Sequence, residues 1–457
     1  MARSSKRLSA RLLVLLALLP LGCQPAATPA PPRAEPGPNE ADSAVERELG
    51  RRTDAALLGE LHVYDDPALS AYVDSVLERV TAAAAPPKRS WTLRILDTSY
   101  VTVRSAPGGY IYVTRGLLAF LGSESELAGA LAHEVAHVAL HHWKHKLDVL
   151  EREGIHDGDL SKLTPKGRLE LLAEMRDDER AADQHAVDYL GRAGYSSQGL
   201  ARVIRLFSSI EHMAGGDRIP SELRTHPATA ERLREIARFA ARVGADRRDE
   251  YLAHIDGLVF GEDPKHGYLF GPRYVNPEAD LDLPLPAPWS ARIVGRDLLA
   301  ALPGANTVAF VSRSEHGDLE ATRVALASGG TELSETEVAD RPAWVGRRDE
   351  RSGLEMRSAL LSSAAGVWVL AVVAPTDAGS KARVDALFQG ARRITDPSLA
   401  HLSPLRVRVT TLASPSTLRR EQAAKPSKTG LQTLALLNGA DPDATLPIGT
   451  KIKRIDQ

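Results

Sequence analysis

"GSESELAGALAHEVAHVALHHWKH", residues 122–145, carries five histidines and three glutamates, and its reading decides what the chain is. Ser123 and Glu126 have the spacing of a capping box, which predicts a helix beginning near Glu124. On that helix His133 and His137 lie one turn apart, so both imidazoles leave one face and converge on one ion at about 2.0–2.1 Å. Glu134 stands beside that face, within reach of a water at the ion, where a carboxylate serves as general base. Extending the same helix puts the Cα of His141 about 12 Å along the axis from that of His133, at about 1.5 Å per residue. His141, His142 and His145 are therefore expected to serve a surface or packing role.

Two histidines leave a metal site short of a third ligand. The helix pattern "GRLELLAEMRDDERAADQHAVDYLGR", residues 167–192, has an apolar stripe through Leu172, Met175, Ala182, Ala186, Val187 and Leu190. Glu179 and Asp183 occupy stripe positions. A buried carboxylate must pair, protonate or bind metal, so Glu179 is expected to complete a His2Glu site and Asp183 to orient a ligand histidine. A buried ion pair between Glu179 and an arginine such as Arg180 is the rival reading. Asp177, Asp178 and Arg180 read as a solvated face.

At 457 residues, with 43% hydrophobic and 25% charged side chains, the chain has room for two or three ordinary domains. A net charge of −2 gives no electrostatic reason to expect nucleic acid. The start, "MARSSKRLSARLLVLLALLPLGC", has a basic opening and a short apolar run, as in a secretory signal peptide. Cys23, the only cysteine, excludes an internal disulfide. The segment resembles a bacterial lipoprotein signal, although Pro20 stands where such signals usually carry leucine; the resemblance implies lipidation at Cys23 and, with Gln24 next, an outer-membrane anchor.

Organisation follows composition. Residues 1–22 read as signal and 23–43 as a Pro/Ala-rich tether. Residues 44–250 read as an α+β domain, mainly helical with a short sheet, and the Pro- and Gly-rich residues 251–290 as a linker. Residues 291–400 carry strand patterns, "NTVAFVS" and "GVWVLAVVAP", ahead of an amphipathic helix, and read as a smaller α+β domain. Residues 401–457 form a small C-terminal module; "LQTLALLNGADPDATLPIGTKIKRI" resembles the end of a LysM module, which implies cell wall or assembly machinery as partner.

The region 44–250 resembles the M48 family of zinc metallopeptidases, the HtpX-like and Ste24-like group with its bacterial periplasmic lipoproteins. The resemblance rests on "GGYIYVTRGLL", "ELAGALAHEVAHV", "ERAAD" and "THPATAER", in that order. It implies a zincin-type (gluzincin) fold and one Zn2+ per chain, held by His133, His137 and Glu179. Glu134 would be the general base and Asp183 the carboxylate behind the ligands, with His226 and Arg232 close to the metal. Pro227 suits a first helical turn and puts His226 at a helix mouth, where it stabilises an oxyanion, blocks the open metal position, or only caps the helix. Thr102 and Arg104 replace the usual Asn and Phe before the Pro-Gly-Gly, which alters the cleft floor. Tyr110, Ile111, Tyr112 and Val113 are expected to form the edge strand that holds an extended substrate, with an ordinary core strand as the alternative. The function implied is a periplasmic, lipid-anchored zinc endopeptidase acting on unfolded or misassembled envelope proteins. The competing class is a non-enzymatic, zinc-stabilised envelope chaperone or scaffold.

Overall fold

Ser123 caps a helix as its spacing predicts. In a computed structural model describing residues 44–59, 61–84, 89–155, 162–213, 230–239, 244–350 and 353–457, its hydroxyl accepts from the N–H of Glu126. Glu126 reaches one residue further back than the standard box, its carboxylate accepting from Gly122 N–H at 2.5 Å. The described residues fall into two compact units, one spanning 44–258 with 406–456 and the other 259–405.

The first unit starts with α1 (Ala44–Leu58) and α2 (Pro67–Ala83), followed by three short strands, β1 (Thr92–Leu96), β2 (Val103–Ala106) and β3 (Tyr110–Thr114). Helices α3 (Arg115–Phe120), α4 (Glu124–Ala139), α5 (His142–Arg152), α6 (Pro165–Arg192), α7 (Gln198–Met213), α8 (Ala230–Phe239) and α9 (Arg248–Ile255) follow. Helix α4 is the core: every residue from Glu124 to Ala136 is buried, in contact with α6 and α7 on one side and β2 on another. Two glycines let α4 and α7 touch backbone to backbone. A Cβ on Gly129 would lie 2.6 Å from the nitrogen of Leu200, and one on Gly199 would lie 2.0 Å from the carbonyl oxygen of Ser125.

The sheet order is β1-β3-β2, with β1 and β3 parallel and β2 antiparallel to β3. This corrects one expectation. Tyr110, Ile111, Tyr112 and Val113 lie on the middle strand, paired on both sides; the terminal strands are β2 and β1, and the outer side of β1 meets Val63 by one bridge at Leu96. The edge-strand expectation came with the family resemblance; β3 is apolar because it is buried on both faces, with Ile111 and Val113 inaccessible on one and Tyr112 buried on the other.

In the second unit, β4 (Ser290–Val294), β5 (Asp297–Leu302), β6 (Thr307–Arg313), β7 (Glu332–Glu337), β8 (Pro342–Glu350), β9 (Leu354–Ser363) and β10 (Gly366–Pro375) form one antiparallel sheet in the order β7-β8-β9-β10-β6-β5-β4. Helices α10 (Leu319–Ser328) and α11 (Ala378–Gly390) pack against it. The expected linker at 251–290 is folded. Its first residues complete α9, and Arg273–Asn276 pairs with Leu281–Pro284. Tyr274, Leu281 and Leu283 from this pair join the same core as Leu370 and Phe388. The Pro and Gly residues there punctuate tight turns between short strands; they do not mark chain without a core.

The C-terminal segment contributes β11 (Leu405–Thr411), α12 (Leu418–Ala424), α13 (Leu431–Asn438) and β12 (Lys451–Asp456). The helix, Asn-Gly turn and last strand are where the sequence puts them, but the segment is not a free-standing module: residues 406–456 belong to the first unit. Lys453, fully buried, donates to the carbonyls of Ala119, Phe120 and Leu121 at 2.9, 3.0 and 2.5 Å, satisfying the C-terminal end of α3. Among the described residues, no helix is long and apolar enough to cross a membrane. Cys23 and the tether lie outside the described residues, as does His226.

Candidate metal centre

Helices α4 and α6 pack closely, and each brings its chemistry to the contact. His133, His137 and Glu179 each offer one ligand atom within 4.8 Å of the others, the only such group among the described residues. His133 Nε2 lies 3.0 Å from His137 Nε2, and Glu179 reaches them at 3.4 and 3.3 Å. Both imidazoles therefore turn Nε2 inward, as a shared ion requires.

Behind this group stands a second layer of charge. His133 Nδ1 faces Asp183 Oδ1 at 3.1 Å. Arg232, from α8, donates to Asp183 with Nε at 2.7 Å and Nη2 at 2.8 Å, and its Nη1 lies 2.7 Å from Glu179 Oε2. The rival ion pair thus exists with a different arginine: Arg180 points outward to Asp177. Burial raises the Asp183 carboxyl, but the hydrogen bonds from Arg232 and His133 outweigh it and hold the pKa below the usual range. For His133, burial opposes the charged form, yet the carboxylates of Glu179 and Asp183 win and hold the imidazolium up at about 10. A pocket with that much negative potential at two inward nitrogens suits a divalent cation as well as a proton. Two imidazoles and a carboxylate are the donor set of an open catalytic site.

Glu134 is 1% exposed, and its Oε2 accepts a hydrogen bond from Ser105 Oγ on β2 at 2.7 Å. Sequence reasoning passed over Ser105. Its signal was position, in the stretch where Thr102 and Arg104 already depart from the family pattern.

The reading of the outer histidines also changes. Helix α4 stops at Ala139, and His141 adopts a left-handed conformation with φ 54°, so α5 starts in a new direction. That turn carries His142 Nδ1 to 2.8 Å from His137 Nδ1. Asp178, read as solvated, is buried and lies 2.6 Å from His145 Nδ1 and 3.6 Å from His142 Nε2. Burial, with the neighbouring imidazoles, pushes His142 down to about 2, so it is neutral. His141 faces Glu46 on α1 at 3.4 Å. At the start of α6, Leu171 is buried, in a small core with Val149 and Leu150, and Leu172 is exposed.

A helix-borne His-Glu-x-x-His pair, completed by a glutamate from a later helix, defines a metallopeptidase-type domain. Residues 67–151 and 167–240 match peptidase family M48, so this part of the chain is a peptidase M48 family domain. Over 200 residues it is 26% identical to the putative beta-barrel assembly-enhancing protease of Vibrio cholerae serotype O1, covering 38% of this chain and 40% of that protein. With the beta-barrel assembly-enhancing protease of Escherichia coli K12 it shares 22% identity over 231 residues, 46% of this chain and 47% of the other. With metalloprotease YcaL of the same organism it shares 30% over 157 residues, 31% and 59%. The chain spans about half the length of these curated relatives.

Proposed function

We propose that the chain is a zinc metalloendopeptidase whose site is His133, His137, Glu179 and Glu134. The convergence of three donors beside a buried carboxylate carries this reading. A bound zinc ion would supply Lewis acidity, polarising a carbonyl and lowering the pKa of water toward about 7. The rest is work for the chain. Glu134 takes the proton of the attacking water and returns it to the leaving amine. Ser105 holds one carboxylate oxygen in place, while Asp183, clamped by Arg232, holds the His133 ring with Nε2 inward. The open edge of β2 lies beside Glu134, which makes it the strand to which an extended peptide adds by backbone hydrogen bonds. His226 would act at the same site, by gating it or by stabilising the oxyanion.

The substrates we infer are unfolded or misassembled proteins of the bacterial envelope, met in the periplasm by an enzyme anchored through lipidated Cys23. The relatives' names, two of them beta-barrel assembly-enhancing proteases, support this. Glu134→Gln is the test. It should keep one zinc per chain and lose casein cleavage by a factor of about a hundred or more; undiminished turnover would remove the mechanism, whereas no cleavage by the zinc-loaded wild type would favour the non-enzymatic scaffold. His226→Ala separates the two roles of that residue, since gating predicts faster cleavage and oxyanion stabilisation a large loss.

A further inference from the structure

His137 differs from its partner ligand in what stands behind it. His133 has a carboxylate at its outer nitrogen. His137, with Nε2 turned toward His133 and Glu179, presents Nδ1 to another imidazole, 2.8 Å away. If Nε2 keeps its lone pair for a metal, the ring proton sits on Nδ1, and His142 Nδ1 must be the acceptor. His142 then carries its own proton on Nε2, which faces Asp178 Oδ1 at 3.6 Å; the same oxygen lies 2.6 Å from His145 Nδ1.

We propose that His142 is the positioning residue of the metal ligand His137, through an imidazole-to-imidazole hydrogen bond, with the buried Asp178 carboxylate, itself bonded to His145, 3.6 Å from the other nitrogen of His142. Three structural facts support the assignment. His142 and Asp178 are both buried, so water does not compete strongly for their hydrogen bonds. The ring centroids of His137 and His142 lie 4.8 Å apart while their Nδ1 atoms are 2.8 Å apart, so each nitrogen lies on the side of its ring that faces the other. His141 sits in the left-handed region at φ 54°, a conformation uncommon outside glycine, and it is this turn that aims His142 back at α4. Each ligand histidine is thus fixed from behind by a different element: His133 by α6 directly, His137 by α5 backed by α6. Fixing tautomer and ring angle in this way commonly governs metal affinity by about 10- to 100-fold.

This inference rests on the metal-site reading above, and one experiment separates the two. The full-length protein, stripped with chelator, is titrated with Co2+ while its visible d–d absorption is recorded. Wild type should bind one ion. His142→Leu should bind about 10- to 100-fold more weakly with an altered d–d spectrum, and His142→Asn, whose side-chain oxygen accepts where Nδ1 did, should recover most of both. Circular dichroism checks the fold of each variant. If His142→Leu does not fold, His142→Asn alone decides: wild-type-like affinity and spectrum support the role, and weak binding by a folded protein overturns it. A folded His142→Leu protein with unchanged affinity and spectrum also overturns it. A second ion per chain, lost in His145→Ala, would overturn it in favour of a separate metal site. No binding to wild type would sink the metal-site reading, and this inference with it.

Discussion

Glu134 is held from both sides of the strand-helix contact, by its own buried backbone on α4 and by the hydroxyl of Ser105 on β2. Ser105→Ala should therefore leave the metal content unchanged and lower kcat by about 5- to 30-fold, equivalent to about 1–2 kcal/mol for a lost hydrogen bond to a charged group. Steady-state kinetics with metal analysis checks it, and a fall in metal content would assign Ser105 to structure instead. At this scale the grouping of His133 and His137 was legible because spacing on one helix fixes which residues share a face. Residues that act from another element, Ser105 on β2 and Arg232 on α8, left no periodic trace. Arg232 was found through resemblance, Ser105 only through the fold. Asp178 was misread for a related reason: it flanks the stripe of its own helix, and its burial depends on α5.

Helix α4 shows how a correct local pattern can mislead when extended too far. The capping box and the His133–His137 turn hold, but the helix ends before His141, and a straight extension moved His142 away from a contact it makes. No glycine or proline marks that break; a left-handed histidine does. By contrast, the close crossing of α4 and α7 is written in two glycines. Gly199→Ala should cost about 1–3 kcal/mol or more, because the new methyl group meets the carbonyl of Ser125 at 2.0 Å and neither backbone can retreat without unpacking α4. Urea unfolding followed by circular dichroism measures this, and a change within about 0.5 kcal/mol would mean the helices slide freely. Strand order was the other illegible feature. Burial on both faces makes a central strand strongly apolar, but only pairing shows which strand keeps an open edge.

Across the whole molecule, composition located the strand-rich region well and placed its limits poorly. The Pro- and Gly-rich 251–290 stretch looked like a boundary, yet it supplies core residues such as Tyr274 and Leu283. The C-terminal segment looked separable, yet Lys453 caps α3. Lys453→Met should destabilise the first unit by about 1–3 kcal/mol, since buried carbonyls at the end of α3 lose their donor. The lysine also carries a pH signature. Burial holds its ammonium down at about 7, against an ordinary 10.5. Between those values the unfolded chain keeps the proton and the folded chain sheds it, so this residue adds stability as pH rises through that window. Urea midpoints taken near pH 7.5 and pH 9.5 should therefore converge in Lys453→Met relative to wild type, and an unchanged slope would count against the assignment.

The unit that holds His133 and Glu179 is discontinuous, with residues 259–405 inserted between its two parts. A chain made from N-terminus to C-terminus has every candidate ligand in hand by Glu179, but must then complete another folded unit before Lys453 arrives to close the end of α3. Order of synthesis thus separates having the site from having the finished unit around it. A nascent chain would carry its metal-binding residues for more than two hundred residues of translation before the body that steadies them is whole.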